Sequence, residues 1–175
     1  MQIKKSGFFY FLLTVAAVIV TLLLLNWIPL ALQKDTMRRY ASVDEVRAKL
    51  NFKDIYVPHY FPQNITWPPY EVLAQNKPYS AVLMVFHRVD SQEVSLVISQ
   101  TSERLLSTDS FISFDKITET VPFEFKSRQA LLEVGTCKKG GACSRISWHE
   151  GGYYVTLAMK SPPFELIKIA ESMLH

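Results

Sequence analysis

The sequence predicts an α+β chain: an N-terminal transmembrane helix, then an antiparallel β-sheet packed against a C-terminal helix. Three observations predict it. Residues 7–25 (GFFYFLLTVAAVIVTLLLL) are almost wholly apolar, and no charged residue occurs from Ser6 to Gln33. From Tyr70 to Met159, short β-prone runs are separated by turn residues, with apolar positions alternating in several of them. The last stretch, SPPFELIKIAESMLH, repeats its apolar residues at helical spacing. A length of 175 residues leaves room for one domain and an appendage.

The appendage comes first. About 20 apolar residues of helix span a hydrocarbon core of about 30 Å. A buried soluble helix of that length would show a polar stripe, whereas only Thr14, Thr21 and Asn26 interrupt this one. Phe8, Phe9, Leu22 and Leu25 are the expected lipid-facing residues, with the Trp27 indole at the lipid–water boundary. A cleaved signal peptide would have a shorter apolar core, about 7–15 residues, and a small-x-small cleavage site. The expected layout is a cytoplasmic tail at 1–6, a membrane helix at 7–32, a stalk and short helix at 33–51, and an extracytoplasmic domain at 52–175. Basic residues flank both sides of the span (Lys4 and Lys5; Lys34, Arg38 and Arg39), so charge does not set its orientation.

Residues 33–40 (QKDTMRRY) read as a charged stalk that continues the membrane helix. In Ser42-Val43-Asp44-Glu45 a capping box opens a helix to about Leu50, with Val43, Val46 and Leu50 on one face. Next comes FKDIYVPHYFPQNITWPPYEV, in which Pro58, Pro62, Pro68 and Pro69 forbid continuous helix. This segment either packs over the sheet edge or forms an exposed aromatic–proline surface. The partner-binding candidates are His59, Tyr60, Phe61, Trp67 and Tyr70.

Glu71–Gln75 reads as a strand ended by Asn76-Lys77-Pro78. Residues 81–89 and 93–100 form a hairpin around Asp90-Ser91, setting Arg88 opposite Glu93 and Val85 opposite Leu96. Residues 102–119 read as a loop with a short strand near 111–114, and Val121, Phe123 and Phe125 alternate as in a half-buried strand. With Gly151-Gly152 as a hairpin loop, Trp148 faces Val155, Ile146 faces Leu157 and Ser144 faces Met159. Setting Cys137 opposite Cys143 then pairs Val134 with Ile146 and Leu132 with Trp148. Both turns put the same residues of the middle strand on the buried face.

The two cysteines are therefore read as a cross-strand disulfide, worth roughly 2 kcal/mol in the chain-entropy model for so short a loop. A structural zinc site wants paired Cys units and a thioredoxin-type centre wants C-x-x-C, and the sequence holds only C-x₅-C. A bonded pair places the domain in an oxidising compartment. That favours a cell inner membrane location with the N-terminus cytoplasmic and the domain periplasmic.

Ser161 is the expected cap of the closing helix, with Pro162 at its first position and Phe164, Ile167, Ala170, Met173 and Leu174 as its apolar stripe. No catalytic residue, cofactor site or metal site is expected. His149-Glu150 lacks the second histidine of H-E-x-x-H, and G-x-S-x-G, P-loop and G-x-G-x-x-G patterns are all missing. Without Lys4 and Lys5, 17 basic residues face 16 acidic ones, interspersed. Nucleic acid is not an expected partner, because phosphate tracking needs concentrated basic charge.

The run ISWHEGGYYVTLAMKSPPFELIKIAESM, residues 146–173, resembles the C-terminal end of a bacterial extracytoplasmic domain family of unknown function. That family occurs in single-pass membrane proteins, including anti-sigma-factor and sporulation regulators. The similarity lies in a Trp strand, a glycine turn, a Tyr strand and a closing helix ending in Ile-Ala-Glu-Ser. Upstream, VPHYFPQNITWPP is similar to the family's proline-braced entry segment. The resemblance implies a structural signature over residues 55–175 and carries no catalytic residues. The expected function is a membrane-anchored, non-catalytic accessory or assembly subunit, in contact with the lipid bilayer through one helix and with a protein partner outside the cytoplasm. The alternatives are an extracytoplasmic sensor or regulator, as the resemblance implies, and a lipid or small-ligand-binding module with a cavity between sheet and helix.

Overall fold

The computed structural model describes residues 13–22, 37–50, 52, 54–103 and 106–174. Residues 1–37 and 38–175 separate into two compact units. In the first, the described residues are Met37 and helix α1, residues 13–22, whose apolar side chains are exposed; Leu22 is 61% exposed. The Thr21 hydroxyl donates to the Ala17 carbonyl at 2.8 Å, so this polar group is satisfied within the helix. No described helix is long and apolar enough to cross a membrane. The rest of the expected 7–32 span, with Phe8, Phe9, Leu25 and Trp27, lies outside the described residues, as do the 1–6 tail and residues 33–36 of the stalk.

The second unit is an antiparallel sheet of eight strands with two helices. In chain order it contains β1 (Arg38–Tyr40), α2 (Val43–Leu50), β2 (Glu71–Gln75), β3 (Ala81–His87), β4 (Val94–Thr101) and β5 (Phe114–Phe125). It continues with β6 (Arg128–Cys137), β7 (Ala142–Glu150), β8 (Tyr153–Met159) and α3 (Pro163–Ser172). The strand order is β1-β2-β3-β4-β8-β7-β6-β5. The expected sheet and closing helix are present. Residues 38–40, however, are a strand rather than stalk, with Arg39 opposite Leu73 and ion-paired to Glu71.

Helix α2 starts as expected. The Ser42 hydroxyl accepts the Glu45 amide at 3.2 Å, and the Glu45 carboxylate accepts the Ala41 amide at 2.6 Å. Val43 and Val46 are buried. Helix α3 differs in phase from the expected stripe. Pro162 is the cap residue without a side-chain bond and Pro163 opens the helix, so Ser161 does not cap it. The buried face is Leu166, Ile169, Ala170, Met173 and Leu174, while Phe164 is 75% exposed. Seven of the eleven residues in 163–174 other than proline carry apolar side chains, so periodicity alone does not select one face.

Under α3 lies the principal core: Met84, Phe86, Leu96, Ile98, Ile146 and Leu157, with Trp148 set edge-on against Phe125 at 5.3 Å. Side chains fill the space between sheet and helix. Strand β3 is buried at six consecutive positions, because Leu83 and Val85 are covered on the opposite face too. The β3–β4 hairpin keeps Arg88 against Glu93 through the Arg88 amide and the Glu93 carbonyl, 3.1 Å apart. Beyond a bulge the register slips by one, giving Phe86–Leu96 and Val85–Val97 in place of Val85–Leu96. Without that bulge Phe86 would pair with Ser95, and the α3-facing surface would lose Leu96 as its neighbour.

The β7–β8 register is the expected one, with Trp148–Val155, Ile146–Leu157 and Ser144–Met159 paired. The β6–β7 register is not. Cys143 lies opposite Gly135 and Ile146 opposite Leu132, two residues from the expected pairing. The turn is tighter than a five-residue loop: the Cys137 amide donates to the Gly141 carbonyl (3.0 Å) and the Gly140 amide to the Cys137 carbonyl (2.9 Å). Gly140 and Gly141 both have φ of 83°, which glycine adopts without a Cβ penalty. A slip of two residues preserves the faces, so the expected buried residues remain buried. Cys137 and Cys143 are disulfide-bonded diagonally across the hairpin, Cα–Cα 5.2 Å.

Strand β5 occupies residues expected to be mostly loop. It is an edge strand with nearly every side chain exposed or half-exposed, and two bulges break its ladder with β6. Phe125 and Arg128 flank the two-residue turn Lys126-Ser127, whose φ values are 45° and 63°, and so form its hydrogen-bonded pair. Alternation then turns the backbone groups of Glu124, Pro122 and Thr120 away from β6. Pro122 therefore forfeits no ladder bond.

Candidate docking surface

The proline-rich segment is fastened from below and open above. Gln100, buried in β4, accepts the Tyr56 amide at 3.0 Å and donates to the Asp54 carbonyl at 2.6 Å. Phe52, Ile55 and Ile65 are buried alongside. Further on, the segment follows α3. His59 Nδ1 lies 2.9 Å from the Ser172 carbonyl, and the Tyr60 hydroxyl donates to Glu165 at 2.7 Å. That bond holds the Glu165 carboxyl below its usual range, with help from Lys168 at 3.0 Å, and raises the Tyr60 phenol.

The five candidate residues therefore divide. His59 and Tyr60 are tied to α3. Phe61 lies inward, its ring 5.3 Å from Phe86 of the core. Trp67 and Tyr70 face out at 54% and 61% exposure. Both exposed rings are nonetheless held: Trp67 sits 4.9 Å from Phe61, and Tyr70 stacks on His87 at 4.0 Å.

Trp67, Pro68 and Tyr70 line an open groove of about 590 Å³ together with His87, Arg88 and Val89. Arg88 pairs with Asp90 at 3.2 Å, leaving the rim electrically balanced. The backbone edge beneath is already used: the Thr66 amide donates to the His87 carbonyl and the Val89 amide to the Asn64 carbonyl, both at 3.0 Å. A partner would be gripped through rings rather than by adding a strand. β1 begins opposite Ala74 at the far end of β2, so the groove and Arg38 lie at opposite ends of the sheet. The seven residues of β3 separate these ends by about 20 Å.

Elsewhere the sequence candidates for chemistry are occupied by structure. Glu150 receives two bonds from Arg128, at 2.9 and 3.1 Å, and these hold its carboxyl below the ordinary range. His149 sits edge-on to Tyr154 at 5.0 Å. Among the described residues no group of three or more His, Cys, Asp or Glu could hold a metal ion. Sequence reasoning missed Arg88 and Val89. The only signal was an apolar residue placed directly before a polar turn. Compared with family models, with curated proteins and with solved structures, the chain matches none.

Proposed function

We propose that this chain is a single-pass, membrane-anchored, non-catalytic accessory subunit, and that its folded domain docks on a protein partner outside the cytoplasm. The observation that carries the docking reading is the state of Trp67 and Tyr70: exposed, yet held by ring contact with Phe61 and by stacking on His87. Rings already immobilised lose little entropy on binding, and aromatic side chains dominate binding energy at interfaces. The apolar, uncharged run at 7–25 supports the anchor. The Cys137–Cys143 bond supports an oxidising compartment for the domain, and hence a cytoplasmic N-terminus. The resemblance of residues 146–173 to an extracytoplasmic family agrees with that side of the membrane.

The test is co-purification of the full chain from native membranes in mild detergent. Wild-type protein should bring down a stoichiometric partner, and the Trp67→Ala/Tyr70→Ala double variant should lose it while keeping its thermal transition. Recovery of wild type as a lone monomer would sink the docking reading, as would a partner retained by the double variant.

A further inference from the structure

The end of the sheet that carries the groove also carries a pair of lysines on a fixed backbone, which the docking reading leaves unused. Strands β3 and β8 finish at this end, β4 and β7 start there, and the β6–β7 tip Lys138-Lys139-Gly140-Gly141 projects from it. All four tip residues are exposed. Their backbone is nonetheless held at three points. The Cys137–Cys143 bond closes the loop, the Cys137 amide donates to the Gly141 carbonyl, and the Lys138 amide donates to the Ser113 carbonyl at 3.0 Å. A Cβ at Gly140 or Gly141 would meet nothing within 4 Å, so nothing crowds the glycine side of the tip.

Charges along this end do not cancel. Arg88, at the groove, pairs with Asp90 at 3.2 Å, and Lys160, just beyond β8, pairs with Glu93 at 2.5 Å. Asp115 and Lys116, near the start of β5, add one charge of each sign. Lys138 and Lys139 remain, and neither joins an ion pair among the described residues. Arg88, Lys116, Lys138, Lys139 and Lys160 thus outnumber Asp90, Glu93 and Asp115 by two, and the excess sits on the tip. Groove and tip share one electrostatic neighbourhood. The bond from Lys160, and the charges of Lys139 and Arg88 beyond it, hold the Glu93 carboxyl below its ordinary range. From β3 to β7 the distance is three strand steps, about 14 Å, which an extended segment of about five residues covers.

A lipid surface or a phosphate backbone is a poorer match. Lipid-binding clusters hold about 4–8 basic residues, and phosphate tracking needs a continuous basic face. Here Asp90 and Glu93 interrupt the row. Two ammonium groups on one ordered turn suit the carboxylates of a short peptide segment.

We propose that the docking partner presents an acidic segment, and that this segment runs from the aromatic groove to the tip, where its carboxylates meet Lys138 and Lys139. The groove end of this path rests on the docking reading; the tip end rests on the charge excess. A turn already ordered by its disulfide loses less entropy on binding, and its charge speeds encounter with an acidic partner.

The test follows backbone amide shifts of the full chain in a phosphocholine detergent at low ionic strength, where the Debye length exceeds about 10 Å. A capped oligoglutamate peptide should shift the amides of 138–141 saturably. Binding should weaken by roughly tenfold or more in Lys138→Glu/Lys139→Glu and stay unchanged in Lys77→Glu, at the other end of the sheet. If charge reversal lowers the thermal transition, Lys138→Gln/Lys139→Gln decides in its place. Absence of a saturable shift at the tip overturns the proposal, as does equal weakening in Lys77→Glu or stronger binding to phosphatidylglycerol nanodiscs than to the peptide. Recovery of the partner from native membranes separates this proposal from the docking reading. The charge-reversed chain should recover at least tenfold less partner than wild type. Full retention by that chain, where Trp67→Ala/Tyr70→Ala loses the partner, overturns the acidic segment and leaves the groove standing.

Discussion

Strands β3 and β4 and the hairpin β5–β6 belong to one sheet, yet different physics holds each. β3 and β4 are covered on both faces, with Phe86, Met84, Leu96 and Ile98 sealed in the core cluster on one of them. β5 and β6 expose much of their surface, including Ile117, Val121 and Leu131, and are held by specific local devices. Those devices are a close backbone crossing at Gly135, the Cys137–Cys143 bond and the Arg145 ion pairs. The centre depends on burial, which is broad and cumulative. The outer hairpin depends on a few contacts, each of which can be removed singly.

The largest expected effect is therefore at the centre. Phe86→Ala should cost about 3–5 kcal/mol, read as a fall in the urea midpoint of the detergent-solubilised chain with an unchanged slope. A loss below about 1 kcal/mol would mean that the centre is not where stability resides.

Next is Gly135→Ala. A Cβ there would overlap the Lys116 carbonyl oxygen and lie 2.9 Å from the Ile117 Cα, so backbone rather than a flexible side chain must yield. The expected cost is about 3 kcal/mol, with amide exchange accelerated in β5 and β6 before β3 and β4. Uniform acceleration across the sheet would erase the distinction between the two regions.

Smallest is loss of the disulfide. Cys137→Ser/Cys143→Ser should cost about 2 kcal/mol or less, because the bond closes a short loop. Its exchange signature should be confined to the 137–143 tip. In untreated native membranes both thiols of the wild-type chain should resist alkylation, and labelling of both would remove the main support for the domain's compartment.

The same contrast explains what could be read in advance. Gly151-Gly152 fixes the β7–β8 register correctly because a two-residue loop leaves one pairing. The Cys137–Cys143 pair misleads by two residues. A disulfide accepts a diagonal as well as a direct partner, whereas the backbone bonds around Gly140 and Gly141 do not. β5 carries no legible alternation over residues 115–120 because neither of its faces is fully buried there. β1 is only three residues long and borrows its conformation from β2. At the docking surface, Trp67 and Tyr70 were legible as aromatics that prolines keep out of regular structure. The ring contacts that immobilise them were not, since Phe61, Phe86 and His87 reach them through tertiary contact.

Pro122 has a consequence beyond its own strand. An edge strand of twelve residues, β-prone and uncovered, is ordinarily a template on which another polypeptide can zip up. Here the outward row of amides is broken at its middle by a ring nitrogen without hydrogen, and bulges bend the remainder out of register. The chain can thus be packed densely without its sheets fusing edge to edge into fibrils, and neighbours must meet it through side chains.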